Sequence, residues 1–104
     1  MTVPYPIFRA ALEAGDLARA LTLAREMPQM RLDDALRVCL LLRDGDPDRF
    51  ERAAVRWLGR FALEGTGVML DDLQEAADAL DALPQEPDLA MEQLQALCLA
   101  RGIG

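Results

Sequence analysis

The chain has 104 residues, a formal net charge of −7 and 52% hydrophobic residues, and it contains no His, Ser, Lys or Asn. A Ser-His-Asp triad, a Cys-His pair, an imidazole metal ligand, a Schiff-base lysine and a P-loop lysine are therefore all excluded. The length and hydrophobic share fit one domain over residues 1–104, with a core of Leu, Ala, Met and Val because only 5% of residues are aromatic.

Alternation with period two is nearly absent and helical spacing runs throughout, so the expected fold is all-α. A first helix is predicted over about residues 6–14, with Ile7, Phe8, Ala11 and Leu12 on its inner side. Gly15-Asp16 ends it and caps a second helix over about residues 16–27, whose stripe is Leu17, Ala20, Leu21 and Ala24 and whose stop is Pro28. A third helix is predicted over about residues 32–45. Its apolar residues, from Ala35 to Leu42, cover most of the circumference, so it is expected to be the central one.

Asp46-Pro47 is a strong start signal for a fourth and longest helix, running to about residue 64. A fifth is predicted over about residues 70–83 and a sixth over about residues 87–101. Connections of about 2–5 residues favour consecutive antiparallel hairpins, a helical bundle or short helical array. The expected core includes Leu36, Leu40, Phe50, Leu58, Phe61, Leu73, Leu80, Leu94 and Leu97, along with Cys39 and Cys98 as reduced thiols. MRLDDAL at residues 30–36 is echoed by VMLDDLQ at residues 68–74, and DPD at 46–48 by EPD at 86–88. The pattern fits either an internal repeat, about residues 16–53 and 54–91, or a common N-terminal capping segment recurring in an Asp-rich chain.

Residues 8–28, FRAALEAGDLARALTLAREMP, resemble the hairpin of a tetratricopeptide repeat. Gly15-Asp16 stands at the hallmark turn and Ala20 at the small closing position, while Ala24 stands where a bulky residue is usual and Pro28 comes a turn early. That family consists of protein-binding scaffolds, so the resemblance implies interaction rather than catalysis.

Charge is distributed unevenly. Through Arg60 there are ten Arg against nine acids; from Phe61 onward there is one Arg against nine acids. Arg49, Arg52, Arg56 and Arg60 fall in one narrow arc of the fourth helix, with Trp57 of its inner face on the border, and the arc is either a solvated outer face or a candidate partner surface. Asp71, Glu75 and Asp78 make a matching acidic row on the fifth helix, able to serve the arginines within the chain or in a second copy. The Asp33-Asp34 and Asp71-Asp72 pairs sit at helix starts, where capping and the helix macrodipole explain them without metal or acid-base chemistry. Neither cysteine has a base or a CxxC partner.

No run approaches the roughly 18 apolar residues of a membrane span. The start MTVPYPIFRA lacks the basic flank of a secretory leader, so a cytoplasmic protein is expected. The missing Lys and Asn, whose codons are AT-rich, point to a GC-rich bacterial source. The expected function is a non-catalytic protein-protein interaction or adaptor domain. Its partner is another protein or a second copy, with no cofactor, metal, membrane or small-molecule substrate. Alternatives are a DNA-associated regulator with a helix-turn-helix-like hairpin, which the net charge opposes, and an acidic inhibitor or nucleic-acid mimic.

Overall fold

The computed structural model describes residues 5–27 and 30–103, and among them are six helices and no strand. The helices are α1 (Tyr5–Glu13), α2 (Leu17–Arg25), α3 (Leu32–Gly45), α4 (Pro47–Glu64), α5 (Leu70–Ala82) and α6 (Pro87–Ala100). Their starts follow the local chemistry. Asp16 accepts the Arg19 N–H at 3.1 Å and Asp46 accepts the Arg49 N–H at 3.3 Å, each satisfying an amide that a helix leaves open at its first turn. Between α1 and α2 the chain reverses at Gly15, whose φ of 69° is the left-handed conformation that only glycine adopts without cost. The proline stop expected at Pro28 lies outside the described residues.

Each helix packs on its neighbour in sequence, and α3 also meets α1 and α6, which makes it the central helix. One side of α3 gives Leu32 and Leu36 to a core with Trp57, Phe61, Ala76, Leu80, Leu94 and Leu97. Another gives Val38 and Leu42 to Phe8, Ala11, Leu12 and Ala20. Cys39 packs with Leu83 and Ala90. Alanines at Ala20, Ala76, Ala79 and Ala90 are all essentially buried, so helix backbones approach closely where bulky side chains would hold them apart.

Four residues expected in the core are only partly buried: Leu40, Phe50, Leu58 and Leu73. Ile7, expected on the inner side of α1, is 40% exposed. The molecule measures 37 × 29 × 20 Å, and its thin dimension is about two helix diameters, so most helices keep one flank in water.

Among the described residues two aspartates, each the third residue of its helix, are the buried charges. Asp34 takes hydrogen bonds from the Tyr5 hydroxyl at 2.9 Å and from Arg9 Nη1 at 3.2 Å, tying α1 to the start of α3. Asp72 accepts the Met69 N–H at 2.8 Å and binds Arg101 Nη2 at 2.8 Å, tying α5 to the end of α6. The reading of both Asp-Asp pairs as simple caps therefore needs correction. Asp72 does cap, but Asp34 is spent on a tertiary link and Asp33 on Arg37 and Gln95. The Met69 N–H and then the Arg101 guanidinium hold the Asp72 carboxyl below the usual aspartate range. Its contribution to stability is thus complete above about pH 4 and disappears as pH falls through the lowered value.

Two outcomes follow from this packing. Leu36→Ala, at a fully buried site, should cost about 2–5 kcal/mol in urea unfolding, and Leu40→Ala clearly less; equal costs would contradict the assignment of faces. Tyr5 is the single tyrosine, and partial burial, then the hydrogen bond to Asp34 and its charge, raise its pKa. The neutral phenol's contribution is complete below about pH 10 and is lost as pH rises through the folded value. Phenolate absorbance should therefore appear later in wild type than in Asp34→Asn, whose titration moves back toward about 10; superimposable curves would remove Asp34 as the partner.

Candidate functional site

The four arginines of α4 border one cleft of about 480 Å³ between α2, α3 and α4. Its inner surface comes from Leu21 on α2, from Ala35, Val38, Cys39 and Leu42 on α3, and from Ala53 and Trp57 on α4, with Met30 at one end. Helical geometry explains the division. At about 100° per residue, positions 49, 52, 56 and 60 stay within one arc, while Ala53 and Trp57 lie between that arc and the buried stripe of Ala54 and Phe61.

Trp57 does not sit beside the arginines as an exposed docking edge. It is 1% exposed, its indole Nε1–H donates to the Leu32 carbonyl at 2.9 Å, and its ring stacks on Phe61 with centroids 5.7 Å apart. A large aromatic whose N–H finds a buried acceptor gains more from the interior than from the rim. Trp57 is thus a wall of the cleft, and it also lines a second, smaller cleft of about 260 Å³ with Leu36, Cys98 and Ile103.

The arginines themselves divide into two kinds. Arg60 donates from Nε to Glu64 at 2.7 Å and from Nη2 to the Met30 carbonyl at 2.6 Å, so it holds the chain entering α3 against the end of α4. Glu64, one turn along, is its counter-charge. Arg49, Arg52 and Arg56 have no ion-pair or side-chain hydrogen-bond partner among the described residues, and Arg52 and Arg56 are exposed. Asp71, Glu75 and Asp78 line the solvent side of α5, where Asp78 accepts from Gln74 at 3.0 Å. No ion pair among the described residues joins that row to α4, because α5 packs on the flank of α4 that carries Phe50, Ala54 and Leu58, away from the arginine arc.

Cys39 lies at the cleft floor, 2% exposed, with its thiol pushed up to about 11 by burial. Burial, with Asp33 and Glu64 adding to it, pushes the Cys98 thiol up to about 11 as well. Both shifts favour the protonated thiol at neutral pH. No group of three or more His, Cys, Asp or Glu among the described residues is placed to hold a metal ion, and no described helix is long and apolar enough to cross a membrane.

The arginine arc was readable from spacing alone, whereas Leu21, Val38 and Leu42, which turn it into a cleft, become visible only through the packing of α2 and α3. Asp34 and Tyr5 were missed as partners, though the doubled Leu-Asp-Asp segment was a signal. The chain matches no family model, no curated protein and no solved structure.

The two kinds of arginine should separate in stability. Arg60→Gln should cost about 1 kcal/mol, the worth of a part-exposed charged hydrogen bond to a carbonyl. Arg52→Gln should stay within about 0.5 kcal/mol of wild type. Urea unfolding followed through Trp57 fluorescence measures both; a cost for Arg52→Gln equal to that for Arg60→Gln would merge the two classes.

Proposed function

We propose that this chain is a small, acidic, cytoplasmic protein-binding module without catalytic activity, acting through the cleft between α2, α3 and α4. The observation that carries the reading is the set Arg49, Arg52 and Arg56, three cations without an internal partner along the edge of an apolar cleft. Like charges at a spacing of three and four repel by a few tenths of a kcal/mol per pair, so the row does nothing for the helix that carries it. Guanidiniums at an apolar edge supply the polar rim and apolar centre that protein interfaces use. The α1–α2 hairpin, with its tetratricopeptide-like turn, supports the same reading by presenting Leu21 as the opposite wall.

The absent side chains support the non-catalytic half. No described residue joins a perturbed acid or base to a nucleophile in a cleft, and the two thiols are held protonated.

Affinity capture from source-cell lysate, with wild type and the Arg52→Glu/Arg56→Glu double variant, tests the proposal. The expected result is at least one protein held by wild type and lost from the double variant, while helix content and unfolding midpoint are unchanged. Identical captures by the two proteins would overturn it.

A further inference from the structure

We infer that the occupant of this cleft is an acidic amphipathic helix of a partner protein, lying along α4 with carboxylates on Arg49, Arg52 and Arg56 and an apolar side chain inserted between Leu21, Val38 and Leu42. The inference rests on the reading of the chain as a protein-binding module and names the chemistry of its partner.

The first support is spacing. Arg49, Arg52 and Arg56 climb the helix by three and then four residues, about 10.5 Å along the axis. Carboxylates one turn apart on a second helix rise by the same amount, so three pairs form in register without bending either partner. A guanidinium fork receives a carboxylate through two parallel N–H donors, which fixes orientation as well as charge.

The second support is the combination of surfaces. The arginines take up only one edge of the cleft. Its floor is aliphatic, and about 480 Å³ is room for inserted side chains, while the thickness of a helix must rest on the rim. A helix with acids on one stripe and apolar residues on the next satisfies both surfaces at once, the groove-binding mode in which anchors recur at three- and four-residue intervals. A free anion such as phosphate would satisfy the arginines and leave the floor empty. A nucleic acid would do the same and would meet a molecule carrying −7.

A second copy of the chain is the remaining rival, because Asp71, Glu75 and Asp78 of α5 carry the same spacings in reverse order. Most apolar residues of α5, including Ala76, Ala79 and Leu80, already lie in its own core, and the exposed Leu70 stands at the helix start, so the acidic row as a whole brings little to fill the floor. Arg60 is excluded from the contact set, since Glu64 and the Met30 carbonyl already occupy it.

The test uses the whole chain and a fluorescent synthetic peptide of about 18 residues, long enough to hold a helix, with Glu on one stripe and Leu on the adjoining one. Anisotropy is read beside Trp57 fluorescence, the indole being a wall of the cleft. Saturable binding is expected, weakened about tenfold or more in Arg52→Glu/Arg56→Glu and in the milder Arg52→Gln/Arg56→Gln, which guards against misfolding of the charge reversal. The same loss is expected when the peptide's Glu residues become Gln, and a smaller loss when its Leu residues become Ala. Absence of binding to wild type, or equal binding by the variants, overturns the inference. So does indifference to Leu→Ala, or displacement by inorganic phosphate at the ionic strength where sodium chloride has no effect. Self-association of wild type in sedimentation, abolished by Arg52→Gln/Arg56→Gln, would assign the cleft to a second copy and also overturn it. If a captured cellular partner depends on these arginines while the peptide does not bind, the module reading stands and only the helix is wrong.

Discussion

The hydrogen bond from the Trp57 indole to the Leu32 carbonyl fixes the arrangement on which the site depends. It sets the longest helix against the start of the central one, with the ring stacked on Phe61 and shielded from water. A buried indole N–H without an acceptor costs about 1–3 kcal/mol, so α4 is not free to rotate away from this register. Rotation of α4 is what decides which residues meet solvent. With Trp57 turned inward, the arc of Arg49, Arg52 and Arg56 is left at the edge of the cleft, and Phe50, Ala54 and Leu58 face α5. One aromatic contact thus separates the charged flank from the packing flank.

Around that axis two charged ties supplement the apolar burial. Asp34 gathers Tyr5 and Arg9, and Asp72 gathers Met69 and Arg101, so the outer helices are tied to inner helix starts by paired carboxylates. Both are the third residue of their helix. In a molecule only 20 Å thick such ties matter, because few residues can be buried on every side. Every acid in these ties has its cation. Arg49, Arg52 and Arg56 of α4 have no acid partner among the described residues, so these charges play no part in the ties.

Element starts were legible in the sequence because the determinants are local: Gly15-Asp16, Asp46-Pro47 and Pro87 punctuate helices whichever way these later pack. The arginine arc was legible for the same reason, since spacing along one helix needs no knowledge of its neighbours. Trp57 was not. It stands at the border of the arc and the apolar stripe, and only the acceptor on Leu32, 25 residues earlier, draws it inward. Leu40 and Leu73 looked like core residues because periodicity marks a face but not how much of that face a thin bundle covers. Asp34 looked like a cap because its partners lie 25 and 29 residues away, beyond any local pattern.

The central claim is that Arg49, Arg52 and Arg56 serve a surface and not the fold, and one unfolding measurement addresses it directly. The triple variant Arg49→Gln/Arg52→Gln/Arg56→Gln, compared with wild type in urea at low and at high salt, should be as stable as wild type or slightly more stable at low salt. Any difference should shrink as salt screens the repulsion. A loss of more than about 2 kcal/mol, above the scatter of surface substitutions, would show that the arginines hold the helices together and would contradict the account.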